Sequence, residues 1–267
     1  MKPLIKSKSY KKKIEKNNST SWENVASWYN KLVDKKGHFY HTSVIIPAIK
    51  KILKFDSINS IVDLGCGQGI MSRYIPRKIN YLGIDISKTL IYQAKKYSKD
   101  NALHKFLIYD LCLPLNQYQN EFDCALAILS LQNMKNPVQA ISNASLLLKK
   151  NGTLIIVLNH PCFRIPRQTQ WDFDNSQNIC YRRINAYLTP KSIPINMHPG
   201  KKGINEVTTS FHFPMSYWIN TLTQVGFSSL IMEELISIKT STGSRKKAEN
   251  NIRKEIPLFL MLKANKL

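Results

Sequence analysis

The period of the apolar positions changes along the chain, and each change marks a new kind of element. Trp22, Val25, Ala26, Tyr29, Leu32 and Val33 recur at three- and four-residue steps, the mark of one helical face. Thr20 with Glu23 three residues on has the form of a capping box that would start this helix. After Lys36 and Gly37 a second helical face follows, carried by Val44, Ile45, Ala48, Ile49, Ile52 and Leu53. Short apolar runs then alternate with helical stretches. Residues 60–64, 80–85, 105–110, 122–129 and 153–158 read as buried strands. The clearest intervening helix spans 136–150. Asn136 is its N-cap, Pro137 takes the first helical position, and Ile141, Ala144, Leu147 and Leu148 face inward. Lysines fill its last turn, and Gly152 stands just past the end. Strands alternating with helices at this spacing predict an α/β domain, doubly wound around a mostly parallel sheet.

Past His160 no period is sustained. Residues 160–209 are rich in proline, aromatics, arginine and asparagine, which predicts an inserted lid or binding element. The sheet pattern returns with a helix over 215–225, stopped by Gly226, and a strand over 227–238. A polar, basic linker over 240–255 leads to a closing strand over 257–262. The expected organisation is a basic mobile tail (1–19), N-terminal cap helices (20–54), a core (55–159), a lid (160–210) and a C-terminal completion of the sheet (211–267).

Composition narrows the setting. The chain has 267 residues, 43% of them hydrophobic, enough for one substantial core. No apolar run approaches the roughly 18 to 20 residues that cross a bilayer. The charged start has no apolar region behind it, so a cytoplasmic address is expected. Cys66, Cys112, Cys124, Cys162 and Cys180 form no C-x-x-C pair and read as reduced thiols. The net charge of +22 admits a nucleic-acid partner, with the lysine-rich tail as its footprint. The excess is mostly lysine, accompanied by asparagine and isoleucine, as an AT-rich genome would produce. Arginine, the better phosphate reader, is sparse, and this favours the compositional origin.

Three motifs carry chemistry. In Val62-Asp63-Leu64-Gly65-Cys66-Gly67-Gln68-Gly69 a strand runs into a glycine-rich bend, where backbone can approach a ligand closely. Ile70 occupies the place where a dinucleotide fingerprint wants a small residue, and Asp63 would repel a pyrophosphate, so a cationic ligand suits the bend better. Asp85 ends the next strand at the separation from Gly65 where a carboxylate can accept from ribose hydroxyls. Asp110 ends the third, where it can accept from an adenine amino group while Ile86 and Leu111 sandwich the ring. Each acid alone could be a helix cap; together, after that bend, they point to an adenosyl sulfonium.

These motifs resemble the class I S-adenosylmethionine-dependent methyltransferases, in particular the bacterial type 11, ubiquinone-biosynthesis-like branch. The resemblance rests on VDLGCGQG at 62–69, LGIDIS at 82–87, YDLCLPL at 109–115, FDCALAILSLQNM at 122–134 and LLLKKNGTLIIV at 146–157. It implies a Rossmann-like seven-stranded sheet with the last strand antiparallel, S-adenosyl-L-methionine as cofactor, and cofactor contacts from Gly65, Gly67, Asp85 and Asp110. Ser130, after the fourth strand, would lie near the cofactor's methionine end. HPCFRIPR at 160–167 resembles an element of one bacterial subgroup, to which no substrate attaches.

Methyl transfer requires alignment, exclusion of water and removal of a proton from an O–H or N–H acceptor. His160, just past the fifth strand, is the first candidate base, and His41 on the N-terminal helices is the second. Either could equally be a structural histidine. Asp63 and the ring of Tyr29 could stabilise the sulfonium charge. Arg164, Arg167 and Arg182 could hold a carboxylate or phosphate on the acceptor, or simply solvate the lid. No third ligand stands near His38/His41 or His160/Cys162 at a recognisable spacing, so no metal is assigned. A small-molecule acceptor is expected, with an RNA or protein acceptor as the alternative.

Overall fold

The computed structural model describes residues 22–197 and 206–267; the tail at 1–19, Thr20 and residues 198–205 lie outside the described residues. Among the described residues, seven strands form one sheet. In chain order they are β1 (Ser60–Leu64), β2 (Asn80–Asp85), β3 (His104–Ile108), β4 (Phe122–Ile128), β5 (Leu148–Asn159), β10 (Phe227–Leu235) and β11 (Phe259–Lys266). Their spatial order is β10-β11-β5-β4-β1-β2-β3. β11 runs antiparallel to both its neighbours, and the pairings from β5 to β3 are parallel. This is the expected Rossmann-like sheet with its last strand antiparallel.

Helices cover both faces. α1 (Ala26–Val33), α2 (Ile46–Ile52) and α3 (Lys88–Tyr97) precede β3 in the chain, and α4 (Pro137–Leu147) and α5 (Met215–Gln224) come later. Ile45, Ile49, Ile61, Tyr81, Leu126 and Ile155 share one apolar cluster. Val62, Ile84, Leu147, Ile156, Trp218 and Leu262 share the other. Adjacent residues of one strand thus enter opposite layers, because side chains alternate across a sheet. Ahead of α2 the chain forms one π turn over His41–Ile45. Pro47, inside the first turn of α2, has no N–H to offer the preceding turn, which suits a local change of helical register there.

Several local expectations are corrected. The capping box expected of Thr20 and Glu23 falls partly outside the described residues, with Thr20, and Glu23 has a further role. Its carboxylate accepts from the Ser87 hydroxyl and from the Thr89 hydroxyl and N–H, so it caps α3 from across the fold. Asn136 caps α4 as expected, accepting from Gln139 N–H, but the helix ends at Leu147 and the lysines behind it already belong to β5. β3 stops at Ile108, so Asp110 stands two residues beyond it rather than at its tip.

The stretch without period is built of two hairpins. β6 (Thr169–Asp174) pairs with β7 (Ile179–Ile184), and β8 (Lys191–Asn196) with β9 (Val207–His212). The expected linker contains a helix, α6 (Lys246–Glu255), packed beside β7. Among the described residues, no helix is long and apolar enough to cross a membrane.

Candidate active site

The C-terminal ends of β1, β2 and β4 open into a cavity of about 480 Å³, within the range of small-ligand sites. Its floor is the glycine bend. Gly65 and Gly67 hold φ of +76° and +54°, where a residue with a Cβ is strained. The bend is fastened to β2, because Gly65 and Cys66 both donate to the Ile84 carbonyl. Gly67 N–H donates to Asp85 Oδ2 at 2.9 Å, and Ser87 N–H donates to the other oxygen at 2.9 Å. Asp85 is therefore locked in place, with further lone pairs left for a ligand. Asp110 Oδ1 accepts from Cys112 N–H at 2.9 Å, which orients that carboxylate in the same way.

Asp63, Asp85 and Asp110 all line the cavity, and none forms an ion pair among the described residues. Asp63 is almost wholly buried and accepts a 2.6 Å bond from the Tyr81 hydroxyl. Burial, aided by nearby Asp85, pushes its carboxyl up to about 7 despite that bond. Burial also raises Asp85. Uncompensated acids in one cleft favour a cationic ligand. Tyr29, Ile86, Leu111 and Ser130 line the same cavity. The Tyr29 ring stands over Gly67, where an added Cβ would meet its Cε1 at 3.7 Å, so backbone and ring enclose one slot. Burial, with Asp85 and Asp63 nearby, raises the Tyr29 phenol to about 12 and keeps it neutral. The Ser130 hydroxyl is committed, donating to the Leu64 carbonyl at 2.6 Å.

The two candidate bases part company. His41 lines the cavity, and its Nδ1 has no hydrogen-bond partner among the described residues. Burial, with a smaller contribution from His38 and Arg73, lowers it to about 4, so the ring is neutral at pH 7. His160 is absent from the lining. It is 1% exposed, its Nδ1 accepts from Cys162 N–H, and its Nε2 lies 2.8 Å from Glu234 Oε1. With Nδ1 accepting, Nε2 carries the proton and donates, so the ring ties β5 to β10. Arg164, Arg167 and Arg182 also lie outside the cavity lining.

Sequence reasoning missed the opposite wall. Ile195 of β8, neighbouring Met197, and Thr208 and Ser210 of β9 face the cavity, together with Gln132, Asn133 and Asn159. No periodic signal marks a short hairpin as a ligand wall.

Residues 62–156 match a family model described as a methyltransferase domain. An S-adenosylmethionine-dependent methyltransferase from Mesorhizobium loti has the same fold, with 25% identity and a TM-score of 0.63 over 82% of this chain and 96% of that one. One from Methanosarcina mazei is 18% identical with a TM-score of 0.51, covering 83% and 97%. The [4+2]-cyclase SpnF shares the fold as well, at 17% identity and a TM-score of 0.52, covering 83% and 80%. An uncharacterised 37.1 kDa protein of a Streptomyces fradiae transposon is 28% identical over 102 residues, 36% of this chain and 29% of that protein. The chain thus has a Rossmann-like methyltransferase fold, with residues 62–156 matching a methyltransferase domain. The acidic, glycine-floored slot has the groups that a sulfonium cofactor such as S-adenosylmethionine would need.

Proposed function

We propose that the protein transfers a methyl group from S-adenosylmethionine to a small-molecule acceptor held between the glycine bend and the β8–β9 hairpin. The observation that carries this reading is a single cavity lined on one side by Asp63, Asp85 and Asp110 and on the other by Ile195, Met197, Thr208 and Ser210. A concave pocket of this size suits a metabolite better than a polymer. Asp85 would hold the ribose hydroxyls, Asp110 the adenine amino group between Ile86 and Leu111, and Asp63 would face the sulfonium charge. Gly65 and Gly67 let the backbone come close, and Tyr29 closes the slot. When bound, the cofactor supplies an activated methyl group. The chain's part is to align the acceptor, exclude water and take up its proton.

His41 is the residue placed for that last task, being neutral and on the cavity wall. The insertion over 160–210 serves as the acceptor side of the pocket, and its HPCFRIPR segment as the mark of a subgroup. Incubating cell extract with isotopically labelled cofactor and the protein should label one small metabolite. Asp85→Asn should abolish labelling and weaken cofactor binding more than about tenfold, since charge-assisted bonds are lost. Label appearing in RNA or protein instead, or binding unchanged in Asp85→Asn, would overturn the reading.

A further inference from the structure

The chain is basic through lysine, yet six of its eight arginines fall within 164–253. Two of them share one ring at the β6–β7 hairpin, and a third stands on α6, which packs beside β7. Arg164 and Arg182 both stack on Trp171, with guanidinium carbons 5.3 and 4.9 Å from the ring centroid. Arg182 is further held by Nε donating to the Phe163 carbonyl and an Nη to Thr169 Oγ1. Arg253, on α6, donates to the Ser241 hydroxyl.

No carboxylate answers these charges. Among the described residues none lies within 4.0 Å of any of the three. The neighbouring acid Glu234 is engaged by His160, and Glu249 makes no ion pair with Arg253 one helical turn on. Arg164 Nε is buried with no hydrogen-bond partner among the described residues. Burial first, and then the charge of Arg182, lower the Arg164 guanidinium to about 10, with Arg253 acting in the same direction. Half-buried like charges without a counterion raise the energy of the folded chain, and a bound anion removes that cost.

We infer that Arg164, Arg182 and Arg253 form an oxyanion site for a phosphate group, free or as the ester of a small metabolite. The planar, fixed donors of arginine match a tetrahedral oxyanion. The site lies outside the cavity lining, so it stands independently of the methyl-transfer reading.

The test is thermal unfolding of the full chain at constant ionic strength, with inorganic phosphate or glycerol phosphate titrated against chloride. Phosphate should raise the melting temperature of the parent by a few degrees through preferential binding to the folded state. Arg164→Gln should melt no lower than the parent without phosphate, because a strained charge has gone, and should lose the phosphate response. Arg253→Gln, a milder change on α6, should lose at least about tenfold in phosphate affinity by calorimetry. Arg167→Gln, exposed and outside the cluster, should respond like the parent. A larger response to glycerol phosphate than to phosphate would identify the ester as the natural form. Equal stabilisation by chloride, an unchanged response in both cluster variants, or a marked loss of stability in Arg164→Gln with the response intact would overturn the site.

Discussion

Replacing Gly65 by alanine separates two costs that the bend imposes. The first is conformational: at φ +76° an L-residue pays about 1–2 kcal/mol. The second is steric. An added Cβ would stand 2.5 Å from the Ser130 Cβ and 3.2 Å from Met134 Cε. Ser130 cannot easily retreat, because its hydroxyl is fixed to the Leu64 carbonyl at 2.6 Å. Relieving such an overlap costs about 1–3 kcal/mol in a packed interior. Gly65→Ala should therefore lose about 2–5 kcal/mol of unfolding free energy. Gly67→Ala is the internal control. Its φ of +54° carries similar strain, but its Cβ would meet only Tyr29 at an ordinary 3.7 Å. It should lose about 1–2 kcal/mol, with its larger effect on cofactor binding. Urea unfolding with unchanged m-values measures both. Equal losses in the two variants, or a Gly65→Ala loss below about 0.5 kcal/mol, would refute the steric argument.

Other expectations follow from the charges. Asp63 holds a proton in the folded protein that the unfolded chain releases between the ordinary carboxylate range and about 7. Stability should fall as pH rises through that window, by at most about 1.4 kcal/mol per pH unit, and Asp63→Asn should flatten the decline. Ionised Asp63 favours a cation, so S-adenosylmethionine should bind about tenfold more tightly at pH 8 than at pH 6, while its neutral thioether product should not; calorimetry showing parallel profiles would exclude Asp63 from the sulfonium side. His41→Gln should leave cofactor affinity within about twofold and slow turnover by about 10²–10⁴, provided the acceptor must lose a proton; unchanged turnover in single-turnover assays would remove it as base. His160→Gln should lower unfolding free energy by about 1–3 kcal/mol without a selective effect on turnover, because its ring bonds Glu234 of β10 while fixed locally by Cys162 N–H; a stable but inactive variant would reverse that assignment.

The core was legible because its elements are local. Five apolar runs with helices between them specify a parallel sheet, and Asp85 could be placed from its strand end, whereas Asp110 stands two residues past β3. What escaped depends on distant partners. Trp171 and Arg182 face each other across β6 and β7, and Pro194 and Thr209 across β8 and β9, yet neither stretch alternates cleanly enough to announce a strand. α6 is polar along its whole length and buries no residue fully, so composition alone made it look like a linker. Glu23 illustrates the same limit. Its spacing from Thr20 fits a local cap, but no spacing announces the hydroxyls of Ser87 and Thr89, which reach it from across the fold and hold the carboxyl low against the opposing effect of burial. His160 occupies the expected position past β5, and what no pattern could show is that Glu234 stands opposite its ring.

The place of β11 bears on how the molecule comes into being during synthesis. Among the described residues, β10 has no neighbour in the sheet except β11, and β5 has β11 as its only partner on that side. A nascent chain that has reached residue 235 has already made six of the strands, yet one flank of β5 is bare and β10 has nothing to lie against. Completion waits on residues 259–266, which must slide between two preformed edges. Products of premature termination before that point would carry two open strand edges, the kind of surface that quality-control proteases and aggregates both seize.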